Sequence, residues 1–165
     1  MCARQAVAIL IGMWECRVSI DIDRSPEAVF TRLKDLRRHG DFSDGLASVE
    51  MTSSGALGVG SQFRAGETVP SRFVSFSEIT ALDEPRLIAW KAWVPHVMRT
   101  RWRFDIERRV GGTRLTQTSQ WEAAGPPGWL MLNLHRKRHV PEENRRTLAR
   151  IKEVLEAEGL KEAAS

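Results

Sequence analysis

Tyrosine is absent from this chain of 165 residues, and lysine is scarce: 5 of the 25 basic residues are lysine and the remaining 20 arginine. Arginine brings fork-shaped recognition of phosphate and carboxylate, but an even skew of this kind equally reflects coding bias. Cysteine is limited to Cys2 and Cys16, and neither stands in a Cys-x-x-Cys or Cys/His spacing. That excludes a dense disulfide framework and a cysteine metal centre, and a reducing, cytoplasmic setting is the expectation. Long apolar runs are missing as well. The longest, residues 6–14, has nine residues, well short of the roughly 20 that span a bilayer. It ends at Glu15 and Arg17 without a small-x-small cleavage signal, so neither stable membrane insertion nor a secretory leader is expected; Met13 is an alternative start.

With 42% hydrophobic and 28% charged residues, 12 Gly and 7 Pro, the composition is that of one folded domain. The net charge of +4 permits an acidic partner without demanding one.

From Trp14 the pattern has period two, with Trp14, Cys16, Val18, Ile20 and Ile22 sharing one side, which predicts a half-buried strand. Ser25 then serves as N-cap and Pro26 as first helical residue of a helix over residues 26–36, carrying Val29, Phe30 and Leu33 on one face. Residues 37–45 form a polar connector with room for a second short helix. Strands follow over residues 46–52, 61–69, 72–82 and 86–94. The clearest alternation is Met98, Thr100, Trp102, Phe104 and Ile106 against Arg99, Arg101, Arg103 and Asp105. Gly111-Gly112 signals a hairpin into a last strand over 113–122. Beyond the Gly/Pro segment 125–128 the period becomes helical, with a restart or kink expected at Pro141. Leu148, Ile151 and Leu155 then mark an amphipathic helix to about residue 158. Residues 1–13 read as an extension, 14–158 as the domain and 159–165 as a tail.

The order of several phrases carries a resemblance. These are Val18-Ser-Ile-Asp-Ile-Asp-Arg-Ser-Pro-Glu-Ala-Val-Phe30, Gly58-Val-Gly-Ser-Gln-Phe63, Leu82-Asp-Glu-Pro-Arg-Leu-Ile-Ala-Trp90, Trp102-Arg-Phe104, Gly111-Gly-Thr-Arg-Leu-Thr116 and Leu148-Ala-Arg-Ile-Lys-Glu-Val-Leu-Glu156. Over residues 14–158 the chain resembles the START/Bet v 1-like (SRPBCC) superfamily, in particular its polyketide cyclase/dehydrase-like branch. The resemblance implies an α+β helix-grip fold: a curved antiparallel sheet of about seven strands around a long C-terminal helix, commonly with a cavity between them. Family members often carry a tryptophan shortly after the first helix; here Phe42 is the nearest aromatic, so the pocket rim differs. The family has no universal catalytic set to carry over.

On the expected inner faces, Phe63, Met98, Trp102 and Phe104 are candidates for apolar ligand contact, and Glu67, Arg72, Thr100 and Gln117 for polar contact. A buried carboxylate or guanidinium needs a partner, and burial moves its pKa. Glu67 and Arg72 facing each other would be a structural ion pair; Glu67 as a general base would need a substrate proton within reach. Trp90 and Trp93 have opposite parity, so one of them faces outward. His135 and His139 lack an acidic or cysteine ligand at a recognised spacing, and no metal is expected. Gly55, Gly58 and Gly60 match neither a dinucleotide loop nor a P-loop, and no cofactor is expected. The Arg99/Arg101/Arg103 stripe and the basic segment 135–139 are some thirty residues apart and diluted by Glu107, Glu142 and Glu143, so no nucleic-acid partner is expected.

The expected function is therefore binding of a hydrophobic or aromatic small molecule, lipid or polyketide-like, in an internal cavity. The alternatives are an aromatase/cyclase-like enzyme performing aldol closure and dehydration, and a partner-binding module with a filled core. A homodimer is compatible with each of these readings.

Overall fold

Alternating sequences of 6 to 12 residues form seven strands in the computed structural model, which describes residues 13–164. They are β1 (Met13–Ile22), β2 (Leu46–Met51), β3 (Gln62–Glu67), β4 (Phe73–Asp83), β5 (Leu87–Val94), β6 (Met98–Arg109) and β7 (Gly112–Ala123). All neighbours are antiparallel, in the order β1-β7-β6-β5-β4-β3-β2. Strands β2 to β7 thus form a meander, while β1 joins its far edge. The chain between β1 and β2 must consequently cross from one edge of the sheet to the other, and it does so as helix α1 (Pro26–Lys34) and a 3-10 turn (Leu36–Asp41).

Local chemistry fixes this crossover. The Ser25 hydroxyl accepts the Ala28 amide at 3.3 Å, and Pro26 starts α1 where a missing N–H costs nothing. Val29, Phe30 and Leu33 are wholly buried beneath it. Gly111 takes φ +81° in the β6–β7 turn, and Gly112 packs flush against the Ile22 carbonyl, where a Cβ would collide. Register shifts at Leu46/Ser48 in β2 and Ile79/Ala81 in β4 add local twist, which bends a sheet.

After β7 come helix α2 (Pro126–Met131), a π turn (Leu132–Arg136) and the long helix α3 (Lys137–Ala163). Helix α3 passes through Pro141 without ending. The irregularity expected there lies just upstream, as the π turn Leu132–Arg136 that precedes α3. Val140, Leu148, Ile151 and Leu155 form the buried stripe of α3 at helical spacing. Each such side chain contributes about 1.5–3 kcal/mol by leaving water. The stripe also contains Asn144, buried and polar, which hydrophobic periodicity did not anticipate.

The architecture is the α+β helix-grip fold, with the seven-stranded antiparallel sheet curving around α3. Helix α3 continues beyond residue 158 to Ala163, so the segment expected as a tail is helical to that point. The expectations for residues 1–12 lie outside the described residues. No helix among the described residues is long and apolar enough to cross a membrane.

Candidate functional site

Strand parity brings one set of side chains onto the inner face of the sheet. Trp90 on β5 opposes Trp102 on β6, Ala92 opposes Thr100, and Phe104 opposes Gln117 on β7. Between this face, the 3-10 turn and the first half of α3 lies a cavity of about 380 Å³. Phe63, Glu67, Met98, Thr100, Trp102, Phe104 and Gln117, all singled out from the sequence, line it.

Arg72 does not. It is exposed, one position before β4 and out of phase with the inward series Phe73, Ser75, Ser77 and Ile79. Phe73 takes the inward position instead, so no Glu67–Arg72 pair forms across the cavity.

The cavity wall is a run of rings in contact. Trp90 stacks on Trp102 (centroids 6.4 Å apart, 21° between planes) and on Phe104 (5.7 Å, 26°), and Phe63 meets Trp90 edge-on. Trp102 in turn meets Trp121 at 5.5 Å and 73°. At the other end of the run, His39 packs against Trp90 and Phe42. Offset stacks and edge-to-face pairs fix ring orientation as well as burying area. Phe42, with 2% of its surface exposed, occupies the rim that the sequence marked as unusual.

Polar groups within this apolar wall are tied down by specific bonds. Trp102 Nε1 donates to Thr100 Oγ1 at 3.1 Å and Trp121 Nε1 to Ser119 Oγ at 3.1 Å. Asn144 reaches across from α3, donating to Ser119 Oγ at 3.2 Å and accepting from Gln117 Nε2 at 3.4 Å. Gln117 Oε1 has no hydrogen-bond partner among the described residues. His39 Nε2 donates to the Leu33 carbonyl at 2.7 Å, which fixes its tautomer, and burial lowers its pKa to about 4, so the ring is neutral.

Charge gathers at the α3 end. Glu67 Oε1 accepts the Ser75 hydroxyl at 3.1 Å; burial pushes its carboxyl pKa up, while the Ser75 bond and the Arg136 charge offset part of that rise. Arg136 makes a two-pronged pair with Glu143 at 2.9 and 3.2 Å and lies 4.8 Å from the centre of the Trp121 ring. His135 and His139 border the cavity with rings 4.4 Å apart. Burial, His139 and Arg136 lower the His135 pKa. Among the described residues no group of three or more metal-ligating side chains converges.

Sequence reading missed Trp121, His39, Arg136, Glu143 and Asn144 as wall residues. The Trp121 signal was present in its parity with Gln117 and Ser119; those on α3 and the π turn were hidden by the change of helical period. A filled core was the expectation for a partner-binding module, and the interior here holds a cavity of about 380 Å³. A second depression, of about 450 Å³, runs across the sheet from Met13 on β1 to Gln62 on β3, where Trp93, Lys91, Arg99 and Arg101 are exposed or half-buried. Lys91 pairs there with Glu78 and Arg99 with Glu122. The inner cavity is the better site, because aromatic surface and hydrogen-bonding groups converge in it.

A family profile described as "Polyketide cyclase / dehydrase and lipid transport" matches residues 13–156. No curated protein matches significantly in sequence. Among solved structures, TTHA0849 from Thermus thermophilus is similar, with 19% identity and a TM-score of 0.72 over 87% of this chain and 98% of that one. The Zhui aromatase/cyclase from Streptomyces sp. R1128 gives 17% identity and a TM-score of 0.69 over 87% and 94%. The di-domain ARO/CYC StfQ from the steffimycin biosynthetic pathway gives 12% and 0.74 over 95% of this chain and 55% of that one.

Proposed function

Because the chain belongs to the polyketide cyclase / dehydrase and lipid transport family, we propose that it binds an aromatic or otherwise hydrophobic small molecule between its sheet and α3. The observation that carries this reading is the cavity of about 380 Å³, walled by Trp90, Trp102, Trp121, Phe63 and Phe104. Its size lies within the roughly 300–1,000 Å³ of small-molecule sites, and its wall is mostly apolar with few polar groups, as such sites require. An aromatic ligand would extend the existing run of rings. Its polar substituents would meet Thr100, Gln117 or the Glu67 end.

Native mass spectrometry of the purified protein, followed by extraction and identification of any retained molecule, tests this reading. A stoichiometric aromatic or lipid compound is the expected result. Failure to retain or bind any member of lipid and polyketide collections would overturn it.

A second reading is an aromatase/cyclase-like enzyme, and one observation favours it. Glu67, with its raised pKa, and the Arg136 cation act on each other at one end of the cavity. A carboxyl that ionises closer to neutrality suits proton transfer in enolisation, aldol closure and dehydration, while the wall would hold a chain in reacting shape. Turnover of a poly-β-keto model substrate that Glu67→Gln abolishes, with binding unchanged, would select this reading over a carrier.

A further inference from the structure

The helical segment that closes one end of the cavity has two unlike sides. Gly128 packs directly on the Val97 backbone, Leu132 is 1% exposed, and Met131 and His135 border the cavity. On the opposite side Trp129, Leu130 and Leu134 are 59%, 52% and 66% exposed. Three large apolar side chains within six residues, left in water by a domain that buries Val29, Phe30 and Leu33 completely, form a patch rather than a scatter.

The residues beside the patch have one dominant sign. Arg136, Lys137 and Arg138 follow it directly, and Arg145 and Arg146 lie further along α3, against Glu142 and Glu143. Arg136 is engaged with Glu143, and Arg145 contacts Glu142 at 3.5 Å. Lys137 and Arg138 are exposed, and neither has an acidic partner among the described residues. An exposed tryptophan and two leucines beside uncompensated cations match the two layers of a bilayer surface, acyl boundary and anionic headgroup.

We propose that α2 and the π turn dock peripherally on anionic membrane surfaces, with Trp129, Leu130 and Leu134 entering the headgroup boundary and Lys137 and Arg138 meeting the phosphates. The segment lies on the surface and does not span. The docking surface stands apart from the cavity reading. Its consequence rests on that reading: with Met131 and His135 on its inner side, the docked segment would let a hydrophobic ligand pass between bilayer and cavity.

Co-sedimentation of the full chain with vesicles tests the proposal, using phosphatidylcholine alone and an equimolar mixture with phosphatidylglycerol. The chain is expected to sediment with the mixed vesicles at low salt, with affinity lowered by about tenfold or more on raising the salt. Trp129→Ser/Leu134→Ser and, separately, Arg138→Glu are expected to lose most of that binding with unchanged urea midpoints. No preference for the anionic vesicles, or equal binding by these variants, would overturn the proposal. So would a dimer in sedimentation equilibrium that Leu134→Ser dissociates, which would assign the patch to a second copy. Ligand retention is scored separately, so an empty cavity in a protein that still docks would fault only the cavity reading.

Discussion

The Arg136 guanidinium sits 4.8 Å from the centre of the Trp121 ring while its other side grips both carboxylate oxygens of Glu143. The π turn ends at this residue, so the arginine couples the change in helical pitch to the sheet wall. It also supplies the positive charge that acts on Glu67.

Removing that cation leaves Glu143 without its partner in a site where the arginine side chain is 10% and the glutamate 25% exposed. Arg136→Met is expected to lower stability by about 2 kcal/mol, the scale of a charge-assisted hydrogen-bonded contact. The double variant Arg136→Met/Glu143→Leu should recover most of the loss, because it removes the stranded carboxylate too. Urea unfolding of both checks this. A double variant no more stable than the single would locate the role of Arg136 in its stack on Trp121.

His39 makes stability depend on pH. Its ring is buried and neutral, with a pKa of about 4 against 6.5 when unfolded, so the unfolded chain takes up its proton first as pH falls. Its contribution is complete above pH 6.5 and is lost as pH drops toward 4. The full loss is about 3 kcal/mol at roughly 1.4 kcal/mol per pKa unit. His39→Gln keeps a donor for the Leu33 carbonyl without a titrating ring. It is expected to flatten the fall in urea midpoint between neutral and mildly acidic pH. An unchanged slope would assign that fall to other groups.

Glu67 acts with the opposite sign. Its folded pKa is raised, so the fold favours the protonated carboxyl; that contribution is present below the unfolded value of 4.5 and lost as pH rises through the folded pKa. Glu67→Gln, neutral throughout and able to accept the Ser75 hydroxyl, is therefore expected to stabilise the protein at pH 7. The gain should shrink toward zero in acid. Urea midpoints measured across that range decide it, and a glutamine variant less stable at neutral pH would mean that the Arg136 attraction outweighs burial.

Much of this was legible because a strand repeats every two residues. Met98, Thr100, Trp102 and Phe104 announced a shared face, and Ser25-Pro26 announced α1, through rules that operate within a few residues. Arg72 went the other way: it stands one position out of phase with the inward series Phe73, Ser75 and Ser77, and Phe73 took the inner position. Asn144 shows a second limit. Its burial is made tolerable by Ser119 and Gln117 on β7, residues far away in sequence, so no local pattern could mark it. His135 and Arg136 were displaced by the π turn, whose extra residue rotates the following side chains away from 3.6-residue spacing.

Trp102 links the two halves of the cavity wall, stacked on Trp90 on one side and edge-on to Trp121 on the other. Its indole N–H is held by Thr100, so the ring orientation is fixed before any ligand arrives. Replacing it with leucine keeps an apolar side chain but removes both ring contacts. Aromatic pairs contribute about 0.5–1.5 kcal/mol beyond buried area, so Trp102→Leu is expected to weaken an aromatic probe such as 2-naphthol by roughly fivefold. Cyclohexanol, which gains nothing from a π face, should lose much less. Thr100→Val frees the indole N–H without removing the ring and should produce a smaller loss for 2-naphthol. Isothermal titration with both probes separates the cases. Equal weakening of 2-naphthol and cyclohexanol by Trp102→Leu would show that the tryptophan supplies shape alone, and that the wall does not select aromatic ligands.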